Sequence, residues 1–227
     1  MYSAGSLEST NEALPAASTG LQELNFLSSG ITAENLAILL RLPRHLRRLT
    51  LGAPFNLVLS RTAAYHTPSV RHIAAMSSVF HTLECLRIIQ SQSPQLQSRD
   101  PAIGLEKFKA LRYLELPSRC FPGTPMPENL STTISGGPMK FPESLEVLKV
   151  TVRDPIESQI SSIVKERKSV APALRRIILS VAGSADFTNL KVACVEAGIE
   201  MQVVRESTHV SFHGPALWKI ADQIRST

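Results

Sequence analysis

The residues of this chain able to do chemistry are six histidines, three cysteines and one glycine-rich patch. A zinc-type site brings three or four His, Cys or carboxylate ligands to one point and is usually signalled by close ligand pairs. His66 and His72 stand six residues apart, and His209 and His213 four apart, but the second pair falls in a strand-like stretch rather than on a helix. No cysteine or carboxylate completes either pair as a zinc-binding motif. All six are therefore expected to be ordinary surface histidines. Cys85, Cys120 and Cys194 are odd in number, widely spaced and without a CxxC pair, which excludes a disulfide framework and fits a reducing compartment, cytoplasmic or nuclear. The patch Ser135-Gly-Gly-Pro138 lacks the Lys-Ser/Thr and the helix that complete a phosphate loop, and no GxSxG element occurs. Nothing in the chain recommends an enzyme, a cofactor or a metal.

Charge offers a second kind of chemistry. The cluster Arg41, Arg44, His45, Arg47 and Arg48 is the strongest electrostatic feature of a chain whose net charge is +5. Single-stranded nucleic acid binds best where cations are interleaved with aromatics for stacking, and this cluster has none. A nucleic-acid surface on Arg41–Arg48 is thus the alternative reading, behind a solvated edge. With 43% apolar residues the 227-residue chain can bury a core without staples. No apolar run approaches bilayer length and residues 1–10 do not read as a signal peptide, so no membrane partner is expected.

The elements that must position these groups come from a repeat. Six segments share the pattern Leu-x-x-Leu/Ile-x-apolar: 21–26, 46–51, 83–88, 111–116, 145–150 and 174–179, with starts 25, 37, 28, 34 and 29 residues apart. In an extended segment the fourth and sixth side chains point one way, into a core, while the third and fifth point the other way and stay wet. Between the segments the period turns helical. Residues 33–41 carry Leu36, Leu39 and Leu40; 69–81 carry Val70, Ile73, Met76 and Phe80; 156–168 carry Ile156, Ile160, Ile163 and Val164. The third of these helices is expected to open on Asp154 as N-cap with Pro155 at its first position. A fourth helix, 186–197, starts at an acidic cap and stops at Gly198. Strand, crossover helix, parallel strand is the implied unit. Residues Ile199 to Val203 alternate and read as a seventh strand.

This pattern resembles the leucine-rich repeat family over roughly residues 21–205, and its helical returns are similar to the intracellular F-box/leucine-rich-repeat class. Repeat one matches best, with Leu21, Leu24, Phe26, Ser29, Ile31-Thr32, Leu36, Leu39 and Leu40. At the family's Asn or Cys turn position the later repeats carry Pro54, Ser91, Arg119, Arg153 and Gly183, so an Asn ladder is not expected. The resemblance implies an α/β leucine-rich-repeat solenoid, with parallel short strands on a concave face and helices or loops on a convex face. It also implies a non-catalytic protein-recognition scaffold whose partner is not named by the sequence. The F-box class adds a role as substrate receptor of a ubiquitin ligase. Residues 1–20 lack the Leu-Pro-x-Glu run of an adaptor-binding motif, so an adaptor is expected as partner only if the native chain is longer.

On this reading residues 1–20 are a loose tail or cap remnant, 21–205 the repeats, and 206–227 a C-terminal cap. The cap's helix, 215–224, turns Leu217, Ile220, Ala221 and Ile224 inward beside Trp218. Segment 117–142, with six prolines and no helical period, reads as an inserted loop carrying Cys120. Stacked in register, the second positions read Gln22, Arg47, Glu84, Arg112, Glu146, Arg175, and the fifth positions Asn25, Thr50, Arg87, Glu115, Lys149, Ile178. Alternating signs on adjacent strands favour pairing, and a ladder Arg87–Glu115–Lys149 is expected on the wet face. Cys85, a third-position residue, should face the same side, and Cys194 should be core. The partner-binding candidates are Arg48, Arg87, Tyr113, Glu115, Lys149 and Arg176, because Arg and Tyr combine contact area with directional polar groups.

Overall fold

Seven short strands lie side by side in chain order, each parallel to the next: β1 (Glu23–Phe26), β2 (Arg48–Gly52), β3 (Cys85–Ile89), β4 (Tyr113–Pro117), β5 (Val147–Val152), β6 (Arg176–Val181) and β7 (Glu200–Arg205). The computed structural model describes residues 15–27, 31–52, 70–89, 104–121, 139–153 and 155–205. The protein is mixed α/β, one parallel sheet with flanking helices. No helix among the described residues is long and apolar enough to cross a membrane.

The register matches the leucine spacing position by position. Leu24, Leu49, Leu86, Leu114, Leu148, Ile177 and Met201 are successive partners across the sheet. A backbone device repeats at each step. The carbonyl of Gln22 accepts the N–H groups of both Arg47 and Arg48, that of Arg47 those of Glu84 and Cys85, and so on through Glu84, Arg112 and Glu146. Each second-position residue thereby hooks the start of the next strand to its own.

The first, fourth and sixth positions build the core. Leu46, Leu83, Leu111, Leu145 and Leu174 are buried, as are the fourth- and sixth-position residues of β2 to β6. They share one apolar cluster with residues of the connections, among them Leu36, Ile73, Phe108, Phe141, Ile160 and Leu190. At the first strand burial fails. Leu21 is 49% exposed, and among the described residues no further strand stacks outside this outermost ribbon.

The helices are α1 (Ala33–Leu39), α2 (Val70–Ala75), α3 (Glu157–Lys165), α4 (Arg167–Val170) and α5 (Thr188–Glu196), with 3-10 turns at Ser77–Val79, Leu105–Lys107 and Ser118–Cys120. Thr32 caps α1 by accepting the Asn35 N–H at 3.2 Å. Two expected helices are shorter than their apolar period suggests. The 69–81 helix ends at Ala75 before a 3-10 turn, and the 156–168 helix breaks at Glu166. The start of α3 also differs from expectation: Pro155 is not its first residue. Ile156 is buried at φ −134°, outside the helical range, so the helix opens at Glu157 with no side-chain cap. The expected cap, Asp154, lies outside the described residues. Gly198 does stop α5. At φ +67° its N–H reaches Val195 and the next, Ile199, reaches Cys194.

Residues 15–19 are tied down through Ala17 and Thr19, whose N–H groups bond to Arg41 and Leu42. Of the expected inserted loop, residues 122–138 lie outside the described residues, as do the proposed cap 206–227 with Trp218, and His66, His209 and His213. The edges of that loop are structured. Cys120 ends a 3-10 turn and is buried, and Phe121 packs 6.5 Å from Phe141.

Candidate functional site

The third and fifth positions share the face opposite the core, and here the expectation of a wet surface needs correction. Cys85, Tyr113, Val147 and Ile178 form a second, smaller apolar cluster, all below 9% exposure. Thr50, Glu115 and Lys149 are buried as well. Strands spaced by about 4.8 Å crowd neighbouring side chains on this face, and the consecutive third-position residues Cys85, Tyr113 and Val147 pack on each other rather than on water.

The expected ladder is present within that crowd. Arg87 Nε donates to Glu115 Oε2 at 2.6 Å, and Lys149 Nζ lies 2.9 Å from Glu115 Oε1. Burial pushes the Glu115 carboxyl up, but the charges and hydrogen bonds of Lys149 and Arg87 outweigh it and hold the group below the usual range. For Arg87 burial works against the cation, and the attraction of Glu115 more than restores it. Burial pushes the Tyr113 phenol well above its ordinary value and the Cys85 thiol up to about 12. At neutral pH the centre of the face therefore holds one carboxylate, two cations, a neutral phenol and a neutral thiol.

Toward the two sides the same face carries ion pairs. Arg48 Nη1 lies 3.5 Å from Glu23 Oε2, and Arg176 Nε donates to Glu200 Oε2 at 2.8 Å. Asn25 Nδ2 donates to Glu23 at 2.8 Å. The structure thus brings all six candidate residues onto one face but divides them. Arg48, Arg87 and Arg176 keep partial exposure, whereas Tyr113, Glu115 and Lys149 are covered.

Two groups escaped the candidate set. The dry patch of Cys85, Val147 and Ile178 was readable from the in-register third and fifth positions, which carry apolar or weakly polar residues there. A second charged row runs just ahead of the strands: Arg47 Nε lies 3.6 Å from Glu84, Arg112 Nε donates to Glu146 at 2.6 Å, and Arg175 also pairs with Glu146. Alternation of the second positions already signalled it. Burial pushes Glu146 up, and the hydrogen bonds of Arg175 and Arg112 more than reverse that.

The remaining chemistry candidates are placed as follows. His72 is not a surface residue: it is buried, with Nε2 2.9 Å from the Ile31 carbonyl oxygen, because α1 and α2 pack together and bring the residues ahead of α1 against α2. His45 and His81 are exposed. No cluster of three or more metal-ligating side chains occurs among the described residues. All three cysteines are free and buried; burial pushes Cys120 up to about 12 and raises Cys194. In the basic cluster Arg44 Nε donates to the Ala17 carbonyl at 2.7 Å, while Arg47 and Arg48 face Glu84 and Glu23. Three of its cations thus serve the fold. Comparison with known proteins gives no match: no family model, no curated protein and no solved structure is similar to this chain.

Proposed function

We propose that this protein is a non-catalytic recognition scaffold, a leucine-rich-repeat solenoid that binds a partner protein on the concave side of its parallel sheet. The observation that carries the reading is the in-register row of third and fifth positions, which gathers side chains from seven separate ribbons onto one face. A face of this kind recognises shape and charge without needing a reacting group. Exposure gives the six residues two roles. Arg48, Arg87 and Arg176 reach the partner, with the dry patch of Tyr113, Val147 and Ile178 between them; Glu115, itself paired with Lys149, holds Arg87 in place. An arginine beside an apolar floor is the composition that dominates binding energy at protein interfaces.

Within this reading a role as substrate receptor of a ubiquitin ligase follows only if the native chain is longer and carries the adaptor-binding motif that residues 1–20 lack. Three free, buried thiols fit a cytoplasmic or nuclear setting. The nucleic-acid alternative is weaker, since the cluster 41–48 carries no Phe, Tyr or Trp on which a base could stack. Affinity capture decides, with the wild-type chain compared against an Arg48→Ala/Arg176→Ala variant, which breaks only partly exposed ion pairs and leaves the buried group intact. Loss of specific partners in the variant supports the concave-face assignment, and identical partner sets overturn it. Retention of a ubiquitin-ligase adaptor by both forms supports the receptor role, and its absence from both leaves a free-standing scaffold.

A further inference from the structure

The second-position residues form a surface separate from the face above. Arg47, Glu84, Arg112, Glu146 and Arg175 precede β2 to β6, and the repeated carbonyl hooks hold their backbones at strand spacing. A groove of about 510 Å³ runs here over the small residues Ala110, Ser144 and Ala173, walled by Arg47, Glu84, Arg112 and Glu146. Exposure along the row is unequal. The arginine side chains are 47%, 47% and 56% exposed, but those of Glu84 and Glu146 only 28% and 14%. The carboxylates are thus sunk between the guanidiniums, and three cations against two anions leave the row positive on its outer side.

The spacing selects a ligand. Arg47, Arg112 and Arg175 sit on alternate strands, so they recur at about 10 Å. A polyproline-II chain presents every third residue on one side at about 9 Å, and its backbone needs no hydrogen-bonded partner. We propose that this groove, extended by Arg175 beside its Glu146 wall, binds an extended acidic protein segment of polyproline-II type, with a carboxylate at every third residue meeting Arg47, Arg112 and Arg175 in turn. Single-stranded nucleic acid fits less well, because among the described residues no aromatic side chain lines the groove to stack a base.

The test is fluorescence anisotropy at low salt with the full chain and three labelled probes. They are a peptide of Glu-Pro-Pro repeats, a peptide of the same composition with its glutamates in one block, and an oligothymidylate. The repeat peptide should bind about tenfold tighter than the block peptide, which corresponds to one well-placed ionic contact. Arg112→Gln/Arg175→Gln should weaken it at least as much, whereas the charge-matched control Lys168→Gln/Lys191→Gln should leave it unchanged. Glu146→Gln releases both arginines from their shared carboxylate and should tighten binding, which a purely structural row would not do. Equal affinity for the two peptides, no binding of the repeat peptide, or tighter binding of the oligothymidylate overturns the proposal.

Discussion

Glu115 is the residue on which the polar face turns, because it is buried and both of its oxygens meet cations. Removing one member of a buried ionic group leaves uncompensated charge, so Glu115→Ala should cost about 3–5 kcal/mol in urea unfolding. Replacing the whole group, as Arg87→Met/Glu115→Leu/Lys149→Met, should be neutral or stabilising, since desolvation of all three charges is avoided. A large loss in the triple variant would show that the ladder is a net source of stability. The sign of the pH dependence follows from the depressed carboxyl. Its stabilisation is complete above the unfolded value of about 4.3 and is lost as pH falls through the lower folded value. Glu146 acts in the same direction. Stability should therefore fall steeply below pH 4, and Glu115→Gln should flatten that limb in acid titrations followed by circular dichroism. Cys85 and Cys120, with thiols pushed up to about 12, should resist a thiol reagent until the chain unfolds. The ladder itself was legible in the sequence because signs alternate down one column. Its burial was not, because alternation tells which side a residue takes and not how many neighbours crowd it there.

Elements were legible where a period and a stop signal agreed. The helix expected over 186–197 folds as α5 from Thr188 to Glu196: the glycine stop holds, but the N-cap is Phe187 rather than Asp186, which accepts the Thr188 N–H at 2.9 Å from just ahead of it. At Gly198 an added Cβ would meet only Arg167 Nη1, at 3.8 Å, so the conflict is with φ +67° alone. Gly198→Ala should cost about 1–2 kcal/mol by thermal or urea unfolding, and a neutral result would mean the turn relaxes. Leu114→Ala, in the middle of β4 with no exposed surface, should cost about 2–5 kcal/mol through the cavity it opens. Where the outcome departed from the period, tertiary packing decided. Burial of Ile156 moved the start of α3 past Pro155, and the run from 69 to 81 tightened into a 3-10 turn that buries Val79. Ser118 shows a device the sequence concealed. Lying beside the Arg119 turn position, it is fully buried and accepts the Arg153 N–H at 3.1 Å, linking neighbouring repeats without an asparagine.

At the scale of the molecule, the docking surface and the arginine row both depend on one arrangement: ribbons from distant parts of the chain lie adjacent, parallel and in step. Six leucine-spaced segments sufficed to read that order, because a one-residue slip would turn every apolar side chain out of the core. Both end strands were legible as well, β1 from the best-matching repeat and β7 from the alternation of 199–203; among the described residues each pairs on one side only and buries its apolar residues only in part. The direct measurement is a distance between spin labels placed at Arg48 and Arg176 in a chain whose native cysteines are replaced. These residues occupy equivalent positions on β2 and β6, four strand steps apart. In-register stacking predicts a single narrow separation near about 20 Å between the backbones. A broad distribution, or a separation well beyond about 30 Å, would contradict the shared sheet and with it both proposed surfaces.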